Sequence, residues 1–435
     1  MKIAIVGAGI GGLSLALSLH RNGMACEIYE SVAQVREIGV GITLLPHAMR
    51  ELAELGLQSQ LEAAGIENLE SVFCNRHGQF IYREPRGRHA GYEFPEIGLH
   101  RGKLHRILYD AVLDRLGPAC LHLDHRCVGV AQDPTGVTLR FNNSAGTPYP
   151  PVRAELAVAC DGVNSAVRKN FYPREPLAFG GINTWRGVTV HPPILSGKSY
   201  LRIGSIDTGK MVIYPIADNV DGQGNQLVNW VAEIRQGGAA MNDWNQPGRP
   251  EDFIDIFQDW RFEWLDVPAL IRSASQIFEY PMVDRDPVAR WTFGRVTLLG
   301  DAAHPMYPRG SNGSAQAIVD ARTLAGQLAS DADAPAALAA YEALRLQPTA
   351  RIVQTNRTVP PHRRCDQPGG IAAPLRPVQG SGGLRPQERR AGPRIESGVT
   401  LSPAAKAARS AWPPAREMVS LQLLPAWGPR GRRPG

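Results

Sequence analysis

The chain has 435 residues, which predicts two or three domains, or one large domain with an excursion. Its residues are 43% hydrophobic and 20% charged, which excludes a mostly disordered or collagen-like protein. The formal net charge is +6, but residues 361–435 carry 13 basic and 4 acidic side chains, which leaves −3 for the preceding 360 residues. The basic character therefore belongs to the carboxyl end, and we expect no nucleic-acid binding by the folded part.

No run of about 18 apolar residues occurs, so no membrane span is expected. The apolar start before Gly7 is too short for a signal peptide and lacks its flanks. Six cysteines are scattered without a CxxC pair, which indicates neither a zinc site nor a disulfide framework. No metal is expected, and a reducing, cytoplasmic setting fits this cysteine usage best.

The amino-terminal residues form a βαβ pattern. Residues 2–6 are a continuous apolar run typical of a buried parallel strand, residues 13–20 favour a helix, and residues 26–29 read as a second strand. The turn between the first strand and the helix is Gly7-Ala-Gly-Ile-Gly-Gly12, with glycines in the G-x-G-x-x-G spacing. This spacing, between a strand and a helix, predicts a dinucleotide site.

Each glycine of this fingerprint has a separate physical role. Gly7 permits the tight turn, Gly9 lets a pyrophosphate approach the backbone at the helix amino terminus, and Gly12 lets the helix lie close to the strand. Glu30 ends the second strand, eighteen residues after Gly12, where a carboxylate accepts a hydrogen bond from a ribose hydroxyl. Because it would repel a 2′-phosphate, Glu30 favours FAD or NAD.

Further along the chain the patterns change twice. Helices are predicted at about 46–55 and 102–116, mixed strand and loop at 72–98, and a buried strand at 154–159. Residues 180–285 alternate polar with apolar residues and hold five tryptophans, which predicts an antiparallel sheet in a second lobe. A buried strand at 295–299 follows, and helical patterns return over 314–328 and 335–357.

The last segment, residues 359–435, differs from the rest of the chain. It is rich in Pro, Gly and Arg and has no sustained apolar period, which predicts a disordered basic tail. A GC-rich gene read out of frame would give a similar amino-acid composition. The change in composition also interrupts a good helical pattern. Both interpretations stay open: a genuine tail, or a replaced carboxyl terminus.

Two later segments, Ala159–Arg168 and Gly300–Gly313, each follow a predicted strand and lead into a helix. Together with the glycine fingerprint, and in this order, they resemble the FAD-dependent aromatic hydroxylases, the single-component flavoprotein monooxygenases. Within that family the segments at 180–187, 280–287 and 298–304 are most similar to the phenazine branch, the 5-methylphenazine-1-carboxylate monooxygenases.

The resemblance implies an α/β fold: a Rossmann-type FAD-binding domain with an inserted, mostly antiparallel β-sheet substrate domain. The expected boundaries are 1–178 for the first part of the FAD-binding domain, 179–282 for the substrate domain, and 283–358 for the second part with its helices. Residues 72–98 are expected to contribute to the substrate lobe, and 359–435 form the tail.

The resemblance also implies roles for individual residues near the cofactor. Asp301, after Gly300, would accept a hydrogen bond from the ribitol, and the helix start at Gly310, Asn312 and Gly313 would face the flavin pyrimidine edge. The remaining candidates are expected near the pyrophosphate, Asp161 also near the nicotinamide cofactor: Arg101, Asp161, Arg36 and Gly41. For Arg36 a surface role is the alternative.

Two residues are candidates for the pocket itself, His304 and Trp185. For His304 the alternative is a packed or hydrogen-bonded histidine beside the flavin. The tryptophans of the second lobe are core residues by default, with Trp185 and Arg186 as the exceptions expected to face the flavin. Met306 and Tyr307 are further candidates for an apolar pocket wall.

The implied function is FAD-dependent hydroxylation of a planar aromatic or N-heteroaromatic substrate, with NAD(P)H and O2 consumed through a flavin hydroperoxide. A single dinucleotide fingerprint leaves NAD(P)H without a Rossmann domain of its own, which argues against disulfide reductases. Two alternatives stay open. One is a flavin dehydrogenase or reductase without oxygen transfer, and the other is an inactive flavin-binding chain with a replaced carboxyl terminus.

Overall fold

The computed structural model describes residues 1–235, 246–331 and 333–358. The predicted basic tail from residue 359, and the choice between its two interpretations, lies outside the described residues. No helix among the described residues is long and apolar enough to cross a bilayer.

Helices and strands alternate in the first half of the chain, and strands dominate the middle. The helices in the described ranges are α1 Ile10–Arg21, α2 Pro46–Glu54, α3 Gln58–Ala64, α4 Arg101–Leu116, α5 Ala166–Phe171, α6 Val267–Arg272, α7 Asn312–Ser330 and α8 Ala334–Thr358. The strands up to residue 159 are β1 Ile3–Val6, β2 Cys26–Tyr29, β3 Gly41–Leu44, β4 Ile66–Glu67, β5 Glu70–Cys74, β6 Phe80–Pro85, β7 Ile97–His100, β8 Leu121–His122, β9 Arg126–Asp133, β10 Gly136–Asn142, β11 Val152–Ala154 and β12 Leu156–Ala159. The later strands are β13 Ala178–His191, β14 Ser199–Ser205, β15 Gly209–Ala217, β16 Gln226–Arg235, β17 Gln246–Pro247, β18 Arg261–Phe262, β19 Leu265–Asp266, β20 Gln276–Asp284, β21 Thr292–Phe293 and β22 Val296–Leu298.

The first lobe is built on a six-stranded sheet in the order β21-β22-β12-β1-β2-β8. Its strands pair in parallel, except that β21 runs antiparallel to β22 at the edge. All four residues of β1 and all four of β12 are buried. Such continuous apolar strands require cover on both faces of the sheet. Helix α1 packs against both α4 and α7 on this lobe.

Two smaller sheets complete the first lobe. Strands β9, β10 and β11 form an antiparallel meander, and β3, β7 and β4 form a second three-stranded antiparallel sheet. The latter lies against the second lobe, because a Cβ on Gly98 in β7 would meet the Pro215 carbonyl oxygen at 2.6 Å. The two lobes therefore touch through backbone at this point.

The second lobe is an eight-stranded sheet in the order β17-β20-β13-β16-β15-β14-β5-β6. Neighbouring strands are antiparallel, apart from the parallel pair β14 and β5. One face carries an apolar core that includes Trp230, Phe257 and Trp260 and is covered by α6. The opposite face carries Tyr200, Tyr214 and Ile216 and is turned toward the first lobe. This arrangement confirms the predicted α/β class with an inserted, mostly antiparallel sheet.

Candidate functional site

The glycine fingerprint forms a tight turn with open space over its middle glycine. Gly7 has φ 101°, and a Cβ there would lie 2.6 Å from the carbonyl oxygen of Cys160 at the end of β12. A Cβ on Gly12 would lie 2.0 Å from the carbonyl oxygen of Gly7, so α1 lies directly against the turn. A Cβ on Gly9 would meet no heavy atom within 4 Å. Gly9 therefore leaves open space at the start of α1, where free N–H groups and the helix dipole attract an anion.

Glu30 is oriented by backbone of the same turn. One carboxylate oxygen, Oε2, accepts a hydrogen bond from the Ala8 N–H at 2.7 Å. The other, Oε1, accepts from the Ser31 hydroxyl and the Val32 N–H, each at 3.0 Å. The carboxylate therefore stands beside the fingerprint in a defined orientation, as the sequence spacing predicts.

His105 in α4 contacts the backbone of this turn. His105 Nε2 lies 2.7 Å from the carbonyl oxygen of Ala8. Burial lowers the pKa of His105, which keeps the ring neutral near pH 7. A carbonyl accepts only, so Nε2 carries the proton and donates it to Ala8.

Asp161 follows β12 and contacts the same turn through its backbone. Its Oδ2 accepts hydrogen bonds from the N–H groups of Ala166 at 2.8 Å and Val167 at 3.3 Å, at the start of α5. Its Oδ1 is buried and has no hydrogen-bond partner among the described residues. Burial raises the pKa of the Asp161 carboxyl. One oxygen is thus structural, and the other is a buried acceptor that the described residues leave unsatisfied.

Asp301 meets the amino terminus of α7. Gly310 and Ser311 both have positive φ, 70° and 56°, and this sharp turn leads into α7 at Asn312. No side chain caps the first N–H groups of α7. A Cβ on Gly313 would lie 3.9 Å from Asp301 Oδ1, so the carboxylate and the free helix end lie close together. A carboxylate acceptor and free N–H donors side by side suit a ligand that carries both hydroxyl and carbonyl groups.

The charge of Asp301 is balanced within a cleft. Its side chain keeps accessible surface, yet many protein atoms surround it, and this burial raises the pKa of the carboxyl. The charges of His304 and Arg101 act in the opposite direction, and that of Asp320 adds to the rise. Arg101 opens α4, where its N–H donates to the Val40 carbonyl at 2.9 Å. Its guanidinium has neither an ion-pair nor a hydrogen-bond partner in the described part of the chain, which suits an anionic ligand.

His304 lies behind this loop and not in the cleft. It is buried, and its Nε2 is 2.5 Å from Asp320 Oδ2. Asp320 also accepts from Arg345 Nε at 2.6 Å and from the Gly300 N–H at 3.2 Å. Burial alone would raise the pKa of Asp320, but the charges of His304 and Arg345 outweigh it and hold this pKa below its usual range. The structure corrects the expectation of a pocket residue: His304 is a packed, hydrogen-bonded histidine that supports the Gly300 turn.

Two pyrophosphate candidates have other surroundings. Arg36 is exposed in the loop between β2 and β3. The Gly41 N–H donates to Asn229 Oδ1 at 2.7 Å, and a Cβ on Gly41 would lie 2.6 Å from the Cβ of Asn229. The missing side chain of Gly41 therefore accommodates a residue of the second lobe. A role of Arg36 and Gly41 toward the pyrophosphate stays a prediction.

Trp185 also requires a correction. Its side chain is 2% exposed and stacks on Phe253, with ring centroids 4.8 Å apart and planes 16° apart. It belongs to the apolar core under α6, on the sheet face away from the first lobe. Side chains alternate along a strand, so Trp185 and Arg186 point to opposite faces. The expectation that Trp185 faces the flavin is wrong, and Arg186 takes the cleft-facing position.

The sheet face turned toward the first lobe carries buried aromatic residues that the sequence motifs did not indicate. Tyr200 and Tyr214 stack with centroids 4.9 Å apart and planes 9° apart, and Arg186 lies over the Tyr280 ring at 5.1 Å. Tyr307, which the sequence analysis gave as a candidate for the pocket wall, lies against the start of β13, since a Cβ on Gly180 would be 2.9 Å from its hydroxyl oxygen. Tyr200 and Tyr214 are each the single aromatic residue of their strand, so neither a motif nor a periodicity in the sequence indicated them.

Comparison with known proteins places this geometry in context. A family model described as "FAD binding domain" matches residues 1–356. Phenazine 1,6-dicarboxylic acid hydroxylase PhzS of Lysobacter antibioticus is 40% identical over 361 residues, covering 82% of this chain and 89% of that protein. 3-Amino-4-hydroxybenzoate 2-monooxygenase PtmB3 of Streptomyces platensis is 34% identical, covering 82% and 87%. 6-Hydroxynicotinate 3-monooxygenase of Bordetella bronchiseptica is 28% identical, covering 74% and 81%.

Solved structures share the fold. HpxO of Klebsiella pneumoniae, in complex with FAD and uric acid, superposes with a TM-score of 0.69 at 24% identity, covering 82% of this chain and 87% of that one. The 2,6-dihydroxypyridine-3-hydroxylase of Arthrobacter nicotinovorans gives a TM-score of 0.69 at 23% identity, covering 92% and 99%.

Proposed function

This chain belongs to the FAD-binding family of aromatic hydroxylases, and from that membership we propose that it is a monooxygenase that uses NAD(P)H and O2 to hydroxylate a planar aromatic or N-heteroaromatic substrate. The relatives named above act on phenazine, hydroxybenzoate and hydroxynicotinate rings, which supports this substrate class. The observation that carries the proposal is the set of groups on the first lobe: the open space over Gly9, the oriented carboxylate of Glu30, and Asp301 beside the uncapped start of α7.

The residues of the first lobe fit FAD. The open space over Gly9 accommodates a pyrophosphate at the start of α1, and Arg101 supplies a free cation at the start of α4. Glu30, already oriented by the fingerprint turn, accepts from a ribose hydroxyl. Asp301 accepts from the ribitol, and Asp161 offers an unpartnered oxygen near the pyrophosphate. Each polar group of this set has a counterpart on the dinucleotide.

Held by these residues, FAD would supply the redox chemistry by which NAD(P)H and O2 hydroxylate the ring, with one oxygen atom entering the product and the other leaving as water. The free N–H groups at the start of α7 stabilise negative charge on the pyrimidine edge. We place the planar substrate beside the part of the sheet face, turned toward the first lobe, that carries Arg186 and Tyr280. His304 is committed to Asp320, so we assign it to positioning the Gly300 turn and give it no proton transfer.

The test combines cofactor analysis with isotope labelling. Purified protein is loaded with FAD, and phenazines, salicylates, hydroxynicotinates and phenols are screened for stimulated oxidation of NADH and NADPH. With ¹⁸O2, one labelled oxygen atom is expected in the aromatic product. A product without label would indicate a flavin dehydrogenase, and flavin-loaded protein that consumes no NAD(P)H with any compound would indicate an inactive flavin-binding chain. Protein that takes up no FAD would refute the cofactor assignment itself.

A further inference from the structure

The carboxyl end of α8 is bonded to the loop that leads into α7. Asn356 is fully buried, and its Nδ2 donates to the carbonyl oxygen of Tyr307 at 3.2 Å. Its own carbonyl oxygen, in the last turn of α8, accepts from Arg309 Nη1 at 2.9 Å. The negative end of the helix dipole favours a cation at this place. A single residue of α8 therefore bonds to the loop on both sides of Pro308.

The same helix end is anchored to the second lobe. Arg357 donates from Nε and Nη2 to the two carboxylate oxygens of Asp284, at 2.7 and 2.8 Å, and from Nη1 to Asp286 at 2.6 Å. The side chain of Asp284, the last residue of β20, is fully buried. Burial raises the pKa of this carboxyl, and the charge of Arg357 opposes the rise. A planar guanidinium paired with a buried carboxylate fixes the end of α8 in place.

The loop held by Asn356 contains two residues in the left-handed conformation. Gly310 has φ 70° and Ser311 has φ 56°, a region that residues other than glycine rarely adopt. Such a conformation persists where the surrounding structure imposes it. Helix α7 begins directly after this turn, and no side chain caps its first N–H groups. The position of these N–H groups therefore depends on the contacts that hold the loop.

Resting on the proposed function, we propose that Asn356 is a positioning residue for the flavin, which fixes the N–H groups at the start of α7 against the pyrimidine edge. Reduced flavin carries negative charge at that edge, and the N–H groups and the helix dipole stabilise it. Without the Nδ2 donor, the Tyr307 carbonyl is unpaired and the loop is free to shift. Reduced FAD then loses more stabilisation than oxidised FAD, and the midpoint potential of the bound flavin measures this difference.

The experiment compares Asn356→Leu with a matched control in the same helix. Leucine has the branching and the number of heavy atoms of asparagine but donates no hydrogen bond. Thr349→Val is the control, since Thr349 is equally buried and its hydroxyl donates to the Arg345 and Leu346 carbonyls of α8 itself. The midpoint potential is measured by reductive titration of the FAD-loaded full chain with a reference dye, and the dissociation constant of oxidised FAD by fluorescence quenching.

Both quantities are expected to change in one variant alone. Asn356→Leu is expected to lower the midpoint potential and to weaken the binding of oxidised FAD about 2- to 10-fold, the effect of one lost hydrogen bond. Thr349→Val is expected to leave the potential and the affinity as they are in the native protein. Asn356→Ser, whose hydroxyl is too short to reach the Tyr307 carbonyl, is expected to lower the potential as Asn356→Leu does.

A measurement on the native chain applies if neither Asn356 variant folds. Hydrogen exchange is followed by mass spectrometry with and without FAD, on peptides that cover residues 305–313 and 351–358. Because FAD at the start of α7 holds the loop, and the loop is bonded to Asn356, FAD is expected to slow exchange in both segments.

The outcomes distinguish this inference from the proposed function, because none of these readouts needs an aromatic substrate or oxygen transfer. A folded Asn356 variant with the native midpoint potential, or an equal fall in Thr349→Val, would overturn the assignment of Asn356. Where neither variant folds, exchange slowed at 305–313 but not at 351–358 would do the same. A lower potential in the Asn356 variants, without any labelled oxygen in a product, would refute the monooxygenase and leave the positioning role in place.

Discussion

Replacing two glycines of the fingerprint by alanine should separate folding from cofactor binding. A Cβ at position 12 would lie 2.0 Å from the Gly7 carbonyl oxygen, whereas a Cβ at position 9 would meet nothing within 4 Å. Gly9 has φ −72° and ψ −178°, which alanine adopts without strain. Gly12→Ala should therefore damage the fold, and Gly9→Ala should damage only the cofactor site.

The magnitudes follow from these contacts. At position 12 the methyl group overlaps a backbone carbonyl by more than 1 Å, so α1 must move, and a cost of about 3 kcal/mol or more in the free energy of unfolding is expected. At position 9 the loss of a glycine N-cap costs only about 1 kcal/mol or less. A methyl group at position 9 would occupy the space of the pyrophosphate and weaken FAD binding by about 1–3 kcal/mol, or roughly 5- to 150-fold.

Two measurements on each variant test this reasoning. Urea unfolding of the FAD-free protein gives the free energy of unfolding, and quenching of FAD fluorescence gives the affinity. Gly9→Ala with native FAD affinity would show that the pyrophosphate does not lie over Gly9. Gly12→Ala with native stability would show that the contact between α1 and the turn is not tight.

Three further predictions concern residues around the cleft. Burial raises the pKa of Asp301, so above that pKa the ionised carboxylate lowers the stability of the fold. Asp301→Asn should therefore raise the Tm of the FAD-free protein at pH 7, but not at a pH where Asp301 is protonated. The same substitution should weaken FAD uptake in a fluorescence titration. Arg345→Met should lower the free energy of unfolding by about 3–5 kcal/mol, because it leaves the buried Asp320 without its Arg345 partner. The double variant Arg345→Met/Asp320→Leu should lose less free energy of unfolding than the sum of the two single variants, and additive losses would contradict the pairing. Trp185→Phe should lower the free energy of unfolding by about 1–2 kcal/mol and leave the KM for the aromatic substrate unchanged, since a changed KM would place Trp185 in the cleft after all.

The sequence by itself determined the parts of this protein that depend on local backbone. The fingerprint glycines and Glu30 after β2 were predicted because each rests on a steric or electrostatic requirement within a few residues, whereas Asp301 after Gly300 was expected from the family resemblance. Buried parallel strands also carry a local signal, since β1 and β12 are apolar at every position. The distinct composition of the second lobe predicted its antiparallel sheet.

Only the tertiary structure decided which way side chains face and what they pair with. Ile182, Asn183, Thr184 and Trp185 are all buried, so the period-two pattern that would assign the faces of β13 is hidden. His304 follows the Gly300 turn, but its partner Asp320 lies in α7, and no local rule pairs them. Which face a side chain takes, and which distant residue it pairs with, depend on how the covered sheets and helices pack together. Both faces of a strand that is covered on both sides are buried, so the sequence pattern does not distinguish them.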